Sequence, residues 1–339
     1  MSGISNWKHF DALKYGSAIL AILLTGLLLL STGMFKYPEL LGMAVLSFSF
    51  GLRHAFDADH IAAIDNMTRK LIQQRKKTKG VGFFFSCGHS TVVIIMGVLT
   101  IFAVEWAQKV LPQFQAVGGV IATSVSGVFL LILATLNFFI LRDILNTFSS
   151  MRKGTYTAET AERPDEGFIN RTINRLFDHV SKKRHIYVVG FLFGLGFDTA
   201  TQVAVLATSA SASAKGIPWV AILAFPILFT AGMSMMDTMD GFFMTTAYEW
   251  VFSSPLRKVY YNLTLTGLSI LAAGVIGIIE VGQVFAQESG LNNGFWLWLQ
   301  HLNFNIMGFM LVGMFVVVWA VSFVGWKLLR LEEKESGFV

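Results

Sequence analysis

Residues 15–34 read YGSAILAILLTGLLLLSTGM. No charge interrupts the run, and its apolar residues point to every side of a helix. A helix bordering water keeps a polar face, whereas about 20 consecutive apolar residues are what crosses a bilayer. The rest of the chain repeats the pattern. Charged residues make up 14% of it and hydrophobic ones 54%, with 31 Phe and a mean hydropathy of +0.60; a soluble domain carries about 25% charged residues. The sequence therefore predicts an all-α protein, a polytopic transmembrane helix bundle of eight spans forming a single domain over residues 1–339. The spans are Tyr15–Met34, Pro38–Asn66, Val81–Val104, Gly118–Leu141, Tyr187–Ala210, Ile217–Asp240, Asn262–Phe285 and Asn303–Trp326. The second is too long for one plain span, so its last turns leave the hydrocarbon or bend. Ser31, Thr32 and Gly33 make a poor cleavage site, and the first run is kept as a span rather than a signal peptide.

The basic residues give the orientation. Of the 26 Lys and Arg, all except Lys36, Lys109, Lys215 and Arg53 fall on the side of the N-terminus. The positive-inside rule then predicts both termini in the cytoplasm. The net charge of +5 is explained by these loops and implies no nucleic-acid partner; the partner is the lipid bilayer. The one cysteine, Cys87, excludes an intrachain disulfide and a Cys-rich metal site. The only long loop, 142–186, carries Phe168, Ile169, Ile173, Leu176, Phe177 and Val180 on a helical period, with Arg171, Arg175 and Lys182 between them. That pattern predicts an amphipathic helix on the cytoplasmic leaflet, read as a passive surface helix before a regulatory one. Phe50-Gly51-Leu52 with Phe56-Asp57-Ala58 is echoed by Phe193-Gly194-Leu195 with Phe197-Asp198-Thr199. The copies lie in oppositely directed spans, the signature of an inverted repeat.

Ionisable residues inside spans are costly and mark function. Span two holds Arg53, His54, Asp57, Asp59, His60 and Asp65. On a helix, His54, Asp57 and His60 stand at i, i+3 and i+6, so that neighbours share adjoining parts of one face. Asp65 follows His54 by three turns on the same side. Asp59 points elsewhere unless the helix opens. Imidazoles with carboxylates suit a divalent first-row metal ion; the blander alternative, a polar network that only packs helices, needs far fewer such residues. Further polar groups lie at His89, at Asp198 with Thr201 and Gln202, and at Asp237 and Asp240 beside Met233, Met235 and Met236. His89 alone could be a helix–helix hydrogen-bonding residue, and Asp237 and Asp240 could sit at the cytoplasmic interface. Arg53 either pairs with Asp198 or Asp57 or reaches out to the interface. At about 1.5 Å per residue, the polar groups of four spans share one slab between midplane and cytoplasmic surface. The expected arrangement puts His54, Asp57, His60 and Asp198 around one cavity, with the helix broken near Asp57 and with His89 and Asp237 beside the cavity or on its exit.

Four segments carry a family resemblance: Arg53–Asn66 (RHAFDADHIAAIDN), Gly88–Val93 (GHSTVV), Gly194–Thr201 (GLGFDTAT) and Gly232–Gly241 (GMSMMDTMDG). In order and placement the chain resembles the nickel/cobalt transporters of the high-affinity permease type. The resemblance implies an eight-span permease importing Ni2+ or Co2+ through the plasma (bacterial inner) membrane. It also implies a need for His54, Asp57, Asp59 and His60, no cofactor beyond the transported ion, and no required ATPase subunit. Gln202 stands where many members have Glu, which removes a negative charge from the path and bears on ion preference. An intramembrane metalloenzyme would need a motif such as His-Glu-x-x-His, absent here. A haem or quinone subunit is poorly served by the surrounding carboxylates, and efflux of the same ions is the other transport reading. No Walker A sequence is present, which leaves the membrane potential, or proton antiport through Asp198 or Asp240, as the energy source.

Overall fold

The computed structural model describes residues 2–74, 76–102, 104–152, 183–195, 200–251, 255–302 and 304–328. Among them there is no strand. The helices in chain order are α1 (Ser2–Ser31), α2 (Glu39–His54), α3 (Ala58–Gln73), α4 (Val81–Phe102), α5 (Val104–Arg152), α6 (Lys183–Gly194), α7 (Ala200–Ala214), α8 (Trp219–Ile222), α9 (Ala224–Val251), α10 (Pro255–Glu288), α11 (Gly294–Gln300) and α12 (Phe304–Leu328). Five stretches are long and apolar enough to cross a membrane: Leu13–Ser31, Val81–Phe102, Gly118–Phe139, Trp219–Tyr248 and Thr266–Glu288. A shorter apolar stretch, Ile306–Val318, lies in α12. Leu20, Leu28, Leu271, Ile278 and Val321 stand exposed on the outer helix faces. Apolar surface on that scale finds its partner in lipid, and the chain is an integral membrane protein.

Several element boundaries differ from the sequence reading. The long second span is two helices, α2 and α3, separated by Ala55–Asp57. In the fifth, α6 covers Lys183–Gly194 and α7 covers Ala200–Ala214, and residues 196–199 lie outside the described residues. The sixth runs on to Val251, well past Asp240. The segment after the fourth span, expected to leave the helix at Arg142, stays helical to Arg152, because nothing between Leu141 and Arg152 breaks a helix. The amphipathic pattern Phe168–Val180 and Asp198 lie outside the described residues.

Helix α9 is the hub, packing against α1, α2, α3 and α4. Two hydrophobic clusters flank it. Leu40, Ala44, Val93, Val205, Phe225 and Phe229 belong to one, joining α2, α4, α7 and α9. Ile61, Leu130, Tyr248, Ala273 and Phe315 belong to the other, joining α3, α5, α9, α10 and α12. In a bilayer, association depends on close packing and small residues at the crossings. A Cβ on Gly51 would collide with the Phe229 carbonyl of α9, and one on Gly232 with the Phe48 carbonyl of α2. The α4–α9 crossing is equally tight at Gly82, against the Asp237 carbonyl, as is the α4–α6 crossing at Gly88, against the Tyr187 carbonyl. These crossings flank His54, Asp237 and His89, so backbone contact rather than long side chains sets the positions of the polar groups.

Below the break, α3 is fixed by buried hydrogen bonds. Tyr248 of α9 donates its hydroxyl to Asp65 Oδ1 (2.5 Å), and Ser269 of α10 donates to Asp65 Oδ2 (2.8 Å). Asn137 of α5 donates to Asn66 Oδ1 (2.5 Å). The middle of α3 is thereby tied to three neighbours.

Two stability outcomes follow from this packing. Gly51→Leu forces α2 off α9 and is expected to lower the melting temperature in detergent sharply, as overpacking costs about 1–3 kcal/mol or more. Gly16→Leu, at a position with open space around it, should leave melting unchanged. Tyr248→Phe leaves a buried carboxylate oxygen short of a donor and should cost about 1–3 kcal/mol. Scanning fluorimetry of the purified variants checks all three.

Candidate metal centre

The site forms where α2 stops. After His54 the chain makes two tight backbone bonds, Phe56 N–H to Arg53 O (3.0 Å) and Asp57 N–H to His54 O (2.9 Å). Asp57 is then extended, with φ −64 and ψ 142, and α3 starts at Ala58. Asp at such an N-cap position ordinarily accepts a hydrogen bond from the first turn of its helix. Asp57 makes no such capping bond. Its Oδ2 lies 2.8 Å from His54 Nδ1 instead. The first turn of α3 is served by Asp59, whose Oδ1 accepts the His60 N–H at 2.9 Å.

The break lets three imidazoles meet. The ring centroids of His54, His60 and His89 are separated by 4.7 Å (54–60), 4.8 Å (54–89) and 4.8 Å (60–89), nearly an equilateral triangle. One ring nitrogen from each lies within 4.8 Å of the other two. His54 Nε2 and His89 Nε2 are 2.9 Å apart. All three residues are buried, His60 completely. Phe85 packs edge-on against His60 at 4.9 Å and Phe229 lies 5.6 Å from His54, so the ring orientations are held by apolar neighbours.

The outer nitrogens of His54 and His60 have acidic or hydroxyl partners, whereas His89 Nδ1 is buried with no hydrogen-bond partner among the described residues. His54 Nδ1 faces Asp57 Oδ2 and, at 3.2 Å, Thr201 Oγ1. His60 Nδ1 sits 3.3 and 3.4 Å from the two oxygens of Asp237. A carboxylate on one imidazole nitrogen fixes that nitrogen as the proton carrier, turns the other's lone pair inward and raises its basicity. His60 Nε2 has no hydrogen-bond partner among the described residues. Buried lone pairs converging on one point are costly unless a cation or donor satisfies them. Three imidazoles without thiolate suit a borderline first-row divalent ion such as nickel, cobalt or zinc.

The residues singled out from the sequence thus fall into distinct places. His54, His60 and His89 form the centre, with His89 inside the triangle rather than beside it. Asp57 and Asp237 stand behind the imidazoles. Asp59 is half-buried at the start of α3. Asp240 is half-buried one turn beyond Asp237, with Oδ2 lacking a hydrogen-bond partner among the described residues. Asp65 has both oxygens engaged by Tyr248 and Ser269, more than a turn of α3 away from His60. Arg53 is exposed. The sequence reading names Gln202 as an in-span polar group and as a missing charge, not as a neighbour of the imidazoles. Its amide lies within hydrogen-bonding distance of both His54 and His89, and its position one residue after Thr201 on a span was the sole signal.

A family model described as high-affinity nickel-transport protein (NicO) matches residues 40–324. The Staphylococcus aureus nickel transporter NixA is 46% identical over 299 residues, covering 88% of each chain. The Helicobacter pylori high-affinity nickel-transport protein NixA is 48% identical over 293 residues, 84% of this chain and 88% of its own. The Rhodococcus rhodochrous cobalt transport protein NhlF is 38% identical over 295 residues, 83% of this chain and 81% of its own. No solved structure matches. These relatives are named as transporters and not as enzymes. With the match running from α2 into α12 and relatives alike along most of their length, the chain belongs to the high-affinity nickel-transport protein family.

Proposed function

We propose that this protein imports Ni2+, Co2+ or both across the plasma (bacterial inner) membrane, taking the ion at the His54–His60–His89 centre. The observation that carries the reading is the convergence of three buried imidazoles, two of them backed by carboxylates, at the interruption between α2 and α3. Irregular backbone at membrane depth is tolerated where it lines a protein-enclosed path. The names of the relatives support nickel and cobalt as cargo. Neutral imidazole ligands with the negative charge one step outside balance a divalent ion while leaving it exchangeable.

Direction and drive rest on the charge pattern. With both termini cytoplasmic and eight spans, the basic loops lie inside. A negative-inside potential then draws a divalent cation inward by about 4.6 kcal/mol per 100 mV. No ATPase subunit is required. The inverted repeat is read from the echoed motifs, the first of which spans the end of α2 at His54 and the start of α3 at Ala58. A discontinuous helix is the pattern of secondary transporters with a central site.

Uptake of radioactive nickel and cobalt into cells or proteoliposomes tests this. His54→Ala, His60→Ala and His89→Ala should each abolish uptake at normal protein level. Asp57→Asn and Asp237→Asn, which keep shape but remove the charge behind an imidazole, should cost about 10–100-fold in affinity. Normal transport by all three alanine variants would end the reading, and ion loss from preloaded cells would turn it into efflux. Tags at both termini should be shielded from impermeant reagents in intact cells, and residues 287–293 should be reached. An externally labelled C-terminus would overturn the eight-span topology.

A further inference from the structure

The geometry points to Gln202 as a fourth ligand of the ion, supplying a neutral amide oxygen that sets the coordination and thereby the ion preference of the centre. The inference rests on the transport reading above and goes beyond its three imidazoles.

Gln202 stands on α7 and is fully buried. Its amide Nε2 is 3.1 Å from His54 Nε2 and also within hydrogen-bonding distance of His89 Nε2. Those two imidazole nitrogens are themselves 2.9 Å apart. Three polar atoms from three helices therefore crowd around one point. At the other end of the same amide, Oε1 is buried with no hydrogen-bond partner among the described residues. A glutamine amide has two donors on one side and an acceptor on the other. Without an ion, the NH2 group can serve the inward lone pairs of His54 and His89, at the expense of the stranded oxygen. Half a turn about the last side-chain torsion exchanges the two ends within the same volume. The oxygen then faces the point where the imidazole nitrogens converge.

The separation of His54 Nε2 and His89 Nε2 fits a coordination sphere. An ion about 2.0–2.1 Å from each of two imidazole nitrogens holds them about 2.9 Å apart when they subtend a right angle, and farther apart in a tetrahedron. Right-angled nitrogen and oxygen donors are what square-planar, tetragonal or octahedral ions take, Ni2+ among them. An amide oxygen adds a donor without adding charge. Asp57 and Asp237 already bring two negative charges behind the imidazoles, so the neutral fourth ligand keeps the loaded centre close to electroneutral. In the loaded state the amide satisfies the ion and its oxygen is no longer stranded.

The test uses the purified full-length chain in detergent, with Ni2+ affinity read by calorimetry and the visible spectrum of bound Co2+ reporting ligand geometry. Gln202→Leu should weaken Ni2+ at least about 10-fold and change the Co2+ spectrum at saturation. The isosteric Gln202→Glu, which places an anionic oxygen at the same point, should bind Ni2+ several-fold tighter than wild type and shift the spectrum in its own way. A leucine variant with wild-type affinity, or with weaker affinity but an unchanged Co2+ spectrum, would overturn the inference. If the leucine variant does not fold, a glutamate variant indistinguishable from wild type in both readouts overturns it instead. Failure of the underlying reading looks different: the wild-type chain would bind no Ni2+, or His54→Ala would bind it unimpaired.

Discussion

Extended backbone at Asp57 interrupts a run of residues that would otherwise make one helix, and the site depends on that interruption. On a continuous helix His54 and His60 would be about 9 Å apart along the axis and about 120° apart around it. Their rings could not then approach to 4.7 Å. Ending α2 at His54 and restarting at Ala58 folds the second imidazole back toward the first. It also frees Asp57 from capping duty, so that its carboxylate can stand against His54 Nδ1. One change of backbone direction thus brings together two of the three imidazole rings and one of their carboxylate partners.

An interrupted helix in a low-dielectric setting needs support on every side. Here the support is mostly backbone contact. Gly51 and Gly232 seat α2 on α9, Gly82 seats α4 on the Asp237 turn, and Gly88 seats α6 beside His89. On the far side, Gly308 of α12 comes so close to the Phe56 carbonyl that no Cβ could fit between them, while Phe309 stacks on Phe56 at 5.2 Å. Below the break, Asp65 and Asn66 hold α3 to α5, α9 and α10. The imidazole triangle is therefore suspended between rigid crossings. Asp57 and Asp237 stand behind two of the three imidazoles, which would let them match the two charges of a divalent cation at the proposed centre.

The sequence made the all-helical membrane class and the cluster of ionisable residues in span two legible because both are local signals; five of the described stretches are long and apolar enough to cross a membrane. Apolar run length reports spans, and six ionisable residues within thirteen positions of one span have no structural excuse. The excess length of that span already required a bend. What remained hidden was relational. Placing Asp65 on the metal face assumed a continuous helical period, and the interruption at Ala55–Asp57 removes that assumption. The carboxylate is instead taken by Tyr248 and Ser269, which are far away in sequence. His89 was expected at the margin because the axial register of α4 against α2 is set by glycine contacts to α9, which no single segment encodes. Gln202 was read for the charge it lacks rather than the donor it offers, since its partners lie on two other helices.

X-ray absorption at the nickel edge of the loaded, purified protein reports the ligands without reference to transport. A three-imidazole centre gives a first shell dominated by nitrogen at about 2.0–2.1 Å, with the outer-ring scattering that marks several imidazoles and that diminishes in His89→Ala. A shell of oxygen alone, with no imidazole scattering, would contradict it and would return the ion to the carboxylates.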